Sequence, residues 1–230
     1  MRDSIRAKRE FWSPAGRLVV VALSASSIWS LLIEFFGWWS MRSFALVVFL
    51  PALLCLGALV VADGMVGTRR LARAVIAGAL AGLLAAVSYD IFRLPFVFSR
   101  SLGLEHFVPA MNLFKVFPQF GAMLLAQPLN QPHYSIGTQL LGWAYHFSNG
   151  LTFGIMYVAL VGDPKTRQWP WGLLFAVGLE LGMLFTPYPG FFQIPVTTRF
   201  VIVTLLAHGI FGTVMGLAAP VFVRRLPQGS

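Results

Sequence analysis

Six long apolar runs divide the chain and constrain its fold more than any other feature. They cover roughly residues 17–39, 44–63, 74–98, 138–161, 170–187 and 197–223. A helix that crosses a bilayer needs about 20 mostly apolar residues. Only 11% of the residues are charged, whereas a soluble domain has about 25%. The sequence therefore predicts an all-α integral membrane protein, a bundle of six transmembrane helices.

The positions of the basic residues predict the orientation of this bundle. If the N-terminus is inside, the inner segments contain 12 lysines and arginines and the outer segments contain 5. Basic residues collect on the cytoplasmic side of membrane proteins, so both termini are predicted to be cytoplasmic, with the protein in the inner (plasma) membrane. Residues 1–16 then form a basic cytoplasmic arm, residues 17–223 the transmembrane domain and residues 224–230 a tail. The five outer basic residues are Arg42, Arg93, Arg100, Lys115 and Arg199.

The formal net charge of +9 does not indicate nucleic-acid binding. The basic residues lie between the apolar runs, as membrane topology requires, and not along one face. Membrane lipids are the expected partners, and an oligomer or a larger membrane complex is left open. The single cysteine, Cys55, lies within an apolar run, which excludes a disulfide framework and a cysteine-based zinc site.

The connection at residues 99–137 is long for a helical bundle and is rich in Phe, Leu and Met. Prolines frame its apolar stretch 110–126, which is too short to span a membrane but suits an interfacial or re-entrant helix. An apolar lid over the outer face is the favoured interpretation of this loop, and an unstructured outer loop is the alternative.

Ionisable side chains within the apolar runs are the strongest functional signal. Such residues are costly in lipid and usually face the interior of a bundle. Five of them are predicted to lie at a similar depth, in the outer half of five different helices: Glu34, Asp90, His146, Glu180 and His208. Arg93 follows Asp90 by about one helical turn, which makes it the expected ion-pair partner.

Small residues at a spacing of four accompany these ionisable residues. Residues four apart share a helix face, and small residues on that face let helices approach closely in lipid. The stripes are Gly78, Gly82, Ala86, Asp90; Gly142, His146, Gly150, Gly154; Gly172, Ala176, Glu180; and Thr204, His208, Gly212, Gly216. They predict a bundle that is closed at its inner end and polar at its outer end. They also suggest a repeat, in which Asp90 with His146 corresponds to Glu180 with His208.

Two histidines and two carboxylates form a plausible ligand set for a divalent metal such as zinc, iron or manganese. The predicted ligands are His146, His208, Glu180 and Asp90. The hypothesis is a metal-dependent intramembrane enzyme that acts on a lipid or other apolar substrate from the outer leaflet. Asp90, Glu180 and Asn149 are its predicted catalytic residues, and Arg93 and Ser148 are its predicted substrate-binding residues.

Four other interpretations stay open at this stage. His146 and His208 could be the axial ligands of a b-type haem. The same acids and histidines could belong to a small transporter or proton-coupled component, although the cytoplasmic half has almost no ionisable residue to continue a path. The chain could be a non-catalytic accessory subunit of a membrane complex. Finally, the buried polar residues could simply hydrogen-bond neighbouring helices.

Overall fold

The computed structural model describes residues 13–66 and 69–227, and within them the secondary structure is entirely helical. Six long helices, labelled α1 to α6 in chain order, occupy the six apolar runs. Their bounds are Pro14–Phe35, Met41–Val66, Arg70–Val97, Ile136–Val161, Pro170–Leu184 and Thr198–Arg225. Shorter helices are Val116–Leu124, called the loop helix below, and the single turns Pro164–Thr166 and Tyr188–Phe191. Most of the predicted basic arm lies outside the described residues.

Four of these helices, α1, α2, α3 and α6, are long and apolar enough to cross a membrane, which is consistent with a membrane protein. α4 has 26 residues, but His146, Ser148 and Asn149 make its middle more polar. α5 has 15 residues, which gives a length of about 22 Å, shorter than the roughly 30 Å of a hydrocarbon core.

The N-cap side chain of α1, α2, α4 and α6 accepts a hydrogen bond from the first turn of its helix. Ser13 accepts a hydrogen bond from the backbone of Gly16, and Pro14 occupies the first helical position. This combination explains why α1 begins three residues before the predicted 17, since a cap hydroxyl and an N-terminal proline both favour a helix start. At the start of α2, Ser40 accepts from the backbone N–H of Ser43, and the carboxylate of Glu34 accepts from that of Met41.

The glycine stripes bring α3 against α4, and α5 against α6. A β-carbon added at Gly82 would overlap the backbone of Gly150 and Gly154. The equivalent contact in the second pair joins Gly172 to Gly212. In lipid no hydrophobic effect draws helices together, so their association depends on close van der Waals packing. Small residues allow that packing because they let the two backbones come into contact. The two helix pairs therefore use the same packing in the half away from the ionisable residues.

Basic side chains tie helix ends together at that closed end. Arg17, near the start of α1, donates to the carbonyls of Ala159 and Leu160 at distances of 2.7 and 2.5 Å. Arg73, near the start of α3, donates to the carbonyl of Val223 at 2.7 Å. The starts of α1 and α3 thus lie beside the ends of α4 and α6, as alternating up-and-down helices require.

α2 contains a π-helical segment at Ala45–Phe49, which ends two residues before Pro51. Proline lacks a backbone N–H, and its ring clashes with the carbonyl four residues earlier. Here that carbonyl belongs to Val47, inside the wider π turn, which gives the ring room. The helix therefore continues through the proline without a break in its backbone.

Candidate functional site

The first acid–histidine pair joins α3 to α4. Asp90 Oδ2 lies 2.8 Å from His146 Nε2, and Arg93 Nη1 lies 3.4 Å from Asp90 Oδ1. Asp90 and Arg93 are both buried, at 8% and 4% exposure. The imidazole stacks on the ring of Phe117, with 4.2 Å between centroids. A carboxylate and an aromatic face together hold this imidazole in one orientation.

The second pair joins α5 to α6. Glu180 Oε2 lies 3.2 Å from His208 Nδ1, and the same nitrogen lies 3.0 Å from the backbone oxygen of Thr204. A carbonyl oxygen can only accept a hydrogen bond, so Nδ1 of His208 carries the proton. The neutral imidazole then has its lone pair on Nε2, the nitrogen that the carboxylate does not contact.

Tyr89 connects the two pairs. Its ring centroid lies 6.1 Å from that of His146 and 4.9 Å from that of His208. The Arg93 guanidinium lies over the same ring, 4.6 Å from its centroid, a cation–π contact. Both histidines and the arginine therefore belong to one site, and all are carried by helices that the glycine stripes hold close.

A small inner cavity of about 90 Å³ lies between the two histidines and also contacts Asn149. Asn149 is 8% exposed, and its Oδ1 has no hydrogen-bond partner among the described residues. One water molecule takes about 30 Å³ of liquid volume. The cavity thus has room for a few waters near Asn149, whose Oδ1 is itself fully buried.

A larger outer cavity of about 370 Å³ lies above it, lined by Arg93, Lys115, Arg199 and Glu180 together with apolar side chains. The two cavities share a wall that includes Tyr89, Arg93 and Tyr188. Burial raises the pKa of the Tyr188 phenol well above its ordinary value. That hydroxyl consequently stays protonated and keeps its ability to donate a hydrogen bond within the shared wall.

The loop helix covers one side of the site. It falls within the predicted stretch 110–126, and a β-carbon at its Gly121 would overlap the backbone of Thr138 in α4. Arg93 donates to the carbonyl of Leu113 just before this helix. The helix is thus packed directly on α4 and tied to the site by the arginine.

Of the predicted site residues, the structure brings Asp90, Arg93, His146, Asn149, Glu180 and His208 together. Ser148 lies elsewhere: it donates to the carbonyl of Tyr145 and lines a lateral groove beside Arg42. Two residues along a helix turn a side chain by about 200°, so Ser148 cannot share the face of His146. Glu34 is also separate, since it caps α2.

The predicted metal ligands are arranged as two pairs. Among the described residues, no group of three or more His, Cys, Asp or Glu side chains is placed to hold a metal ion together. The carboxylates instead contact the imidazoles. A haem between His146 and His208 would need far more space than the inner cavity provides, because sites for organic ligands usually measure about 300–1,000 Å³. The divalent metal and the haem therefore both stay predictions.

Sequence reasoning did not identify four residues that line the cavities: Tyr89, Lys115, Tyr188 and Arg199. Tyr89 precedes Asp90 and lies outside the four-residue stripe. Lys115 and Tyr188 lie in connections, where no helical periodicity indicates a direction. From the sequence, Lys115 and Arg199 are expected as outer positive charges, and Arg199 otherwise only as an alternative to Arg93 beside the propionates of a haem.

Comparisons of the chain with protein families, with curated proteins and with solved structures found no match.

Proposed function

We propose that this protein is an inner-membrane enzyme that uses two carboxylate-oriented histidines for acid–base chemistry on an amphiphile from the outer leaflet. All six long helices cross the membrane in this proposal, and both termini are cytoplasmic. The bias of 12 inner to 5 outer basic residues supports that orientation. Arg17 and Arg73 then lie at the cytoplasmic end, and the acid–histidine pairs lie in the outer half.

The observation that carries the proposal is the shared arrangement of the two imidazoles. Each has one ring nitrogen on a carboxylate, and both histidines line the inner cavity. A carboxylate that holds one nitrogen fixes the tautomer and orientation of an imidazole and supports its protonated form. The other nitrogen is then available to take a proton from water or to give one to a leaving oxygen.

The charges of the buried groups support complementary roles for the two histidines. The site contains two carboxylates, Asp90 and Glu180, and one guanidinium, that of Arg93. With both carboxylates ionised, one protonated imidazole makes this set neutral, and unbalanced buried charge is costly in lipid. One histidine is then an acid while the other is a base, as ester hydrolysis requires.

In that reaction the neutral histidine takes a proton from a water molecule in the inner cavity. The water oxygen bonds to the ester centre, the bond to the leaving oxygen breaks, and the protonated histidine supplies that oxygen with its proton. Arg93, between the two cavities, is placed to stabilise the negative charge that develops. Asn149 lines the same cavity and is placed beside this water.

Close packing at the inner end favours chemistry over transport. The contacts of Gly82 with Gly150 and of Gly172 with Gly212 have no space even for a β-carbon. A path to the cytoplasm would have to separate these helices. A site that opens on one side suits an enzyme that takes its substrate from one leaflet and returns its product there.

The test is a search for products that contain oxygen from water. The purified protein is incubated in H2 18O with vesicles made from the total lipids of its expression host, and products are analysed by mass spectrometry. We expect labelled product from the wild type and a loss of roughly a hundredfold or more in His146→Ala and His208→Ala, the usual size of a general acid–base contribution. His106→Ala and His133→Ala are matched controls, because both lie exposed in the long loop.

If no product contains 18O, the protein does not catalyse the proposed hydrolysis. If His146→Ala and His208→Ala form as much labelled product as the wild type, these histidines do not perform the proposed chemistry.

The same two imidazoles could instead bind a divalent metal, since histidine ligands commonly donate their other ring N–H to a carboxylate. Asp90 and Glu180 would then orient the ligands. Metal analysis of the purified protein separates the two versions. Stoichiometric zinc, iron or manganese that both histidine variants lose would assign water activation to the metal, whereas undiminished turnover in chelator supports the metal-free reaction.

A further inference from the structure

The outer cavity collects basic residues from three separate elements. Arg93 comes from α3, Lys115 from the loop before the loop helix, and Arg199 from the first turn of α6. These are three of the five basic residues outside the cytoplasmic segments in the proposed topology. Most basic residues of the chain lie on the cytoplasmic side, as the positive-inside pattern requires. Membrane topology therefore does not explain why three outer basic residues line the same cavity.

Two of these positive charges are not balanced by an acid in the described part of the chain. Lys115 Nζ contacts only the carbonyl of Phe192, at 3.4 Å, and Arg199 has no ion-pair partner there. The acid that lines the cavity, Glu180, is already bonded to His208. By contrast Arg100, another outer arginine, pairs with Glu105 at 3.1 Å.

Arg93 adds a buried positive charge to this wall. Its Nη1 faces Asp90 and its Nη2 donates to the carbonyl of Leu113, while its Nε has no partner among the described residues. Because both Nη atoms already have partners and Nε is fully buried, Arg93 contributes its positive charge to the cavity wall. The cavity thus offers one buried guanidinium and two further cations to an anionic group.

We infer that the outer cavity recognises the phosphate monoester headgroup of an amphiphile, and this inference rests on the proposed function and names its substrate class. A phosphate monoester carries a charge of about −1.5 to −2 at pH 7 and has three strong acceptor oxygens. It matches two unbalanced cations and a guanidinium better than a carboxylate, which has one charge and two oxygens. Met183, Leu184 and Ile194 in the same cavity contact the apolar tail.

The ligand chemistry is tested by titrating the full-length protein in a neutral detergent with four probes. Dioctanoyl phosphatidate carries the phosphate monoester and a tail, dioctanoylglycerol only the tail, octanoate a tail with a single carboxylate, and inorganic phosphate only the anion. Isothermal titration calorimetry measures each dissociation constant. We expect phosphatidate to bind at least about tenfold more tightly than the other three, since one hydrogen bond between charged groups changes affinity by roughly this factor.

Variants show whether the binding occurs at this cavity. Lys115→Gln and Arg199→Gln should each weaken phosphatidate binding by roughly tenfold. Arg42→Gln is the matched control, because Arg42 is an exposed outer arginine that lines the lateral groove instead. All three side chains lie at least partly exposed, and equal melting temperatures without ligand would confirm that each variant is folded.

Equal affinity for phosphatidate and dioctanoylglycerol would overturn the inference, as would a loss in Arg42→Gln that matches the losses in Lys115→Gln and Arg199→Gln. Tighter binding of inorganic phosphate than of phosphatidate would mean that the ligand is free phosphate and not a lipid, which would also overturn the inference. These outcomes leave the proposed function intact if water-derived label still enters a lipid product in a histidine-dependent manner. Loss of that dependence removes the proposed function, whichever probe binds.

Discussion

At the scale of single residues, the ring proton of each neutral histidine lies on the nitrogen whose neighbour can only accept a hydrogen bond. Thr204 fixes the proton of His208 on Nδ1 because its carbonyl has no hydrogen to give. Asp90 has the corresponding role for His146 through Nε2. Neither carboxylate needs to touch the substrate, since each acts by holding an imidazole in the orientation that exposes its other nitrogen.

Replacing Asp90 by Asn keeps the size of the side chain but removes its charge. The amide can donate to Nε2 of His146 and so favour the opposite tautomer, with the proton on Nδ1. We expect Asp90→Asn to lower turnover by roughly a hundredfold or more, as loss of an orienting carboxylate does in other acid–base sites. The rate of 18O-labelled product formation measures this.

Asp163→Asn is the control for this change, because Asp163 lies in the connection before α5 and caps the backbone of Lys165. Turnover in Asp90→Asn equal to that in Asp163→Asn would mean that the carboxylate does not orient the histidine for catalysis.

At the scale of elements, glycine sets where two long helices approach most closely. α3 with α4, and α5 with α6, meet where both partners lack a side chain, so their backbones are in contact. The same contacts set the depth of the acids and histidines, because each ionisable residue lies on the same stripe as the small residues, toward its outer end. Packing in the inner half therefore positions the chemistry in the outer half.

Gly82→Ala should consequently be destabilising although the added group is a single methyl. The new β-carbon would overlap the backbone of Gly150 and Gly154, and backbone cannot move aside as a flexible side chain does. We expect a loss of about 3 kcal/mol, at the upper end of overpacking costs, together with weaker contact between Asp90 and His146. Unfolding in detergent, followed by circular dichroism, measures the change in stability.

Gly57→Ala provides the comparison, since a β-carbon at Gly57 meets nothing within 4 Å. In a helix, alanine is the better residue by up to about 1 kcal/mol, so this variant should be as stable as the wild type or slightly more stable. Equal stability of the two variants would contradict the close packing of α3 on α4.

At the scale of the whole molecule, periodic features are the ones that the sequence predicts well. Apolar runs predict the six long helices because hydropathy averages over many residues, and four of them meet the length and hydropathy of a span. The four-residue stripes predict that Asp90 and His146 share facing sides, because helical geometry repeats. These arguments hold wherever a residue belongs to a regular helix.

Connections follow no such period, and there the sequence gives less. The stretch 110–126 is recognisable as apolar, but its chemistry depends on how Lys115 and Leu113 are placed beside Arg93, which requires the three-dimensional path of the loop. The outer cavity is therefore a property of the folded molecule. Its walls come from α3, α5, α6 and two connections, and no local pattern relates them.

Nitrogen NMR of the protein with 15N-labelled histidine rings tests most directly the orientation on which the proposed chemistry depends. The signals of His146 and His208 are assigned by their loss in His146→Ala and His208→Ala. At a pH where both rings are neutral, the predicted spectrum has the proton of His208 on Nδ1 and that of His146 on Nε2. A neutral His208 with its proton on Nε2, or a His146 with its proton on Nδ1, would contradict the carboxylate-oriented site.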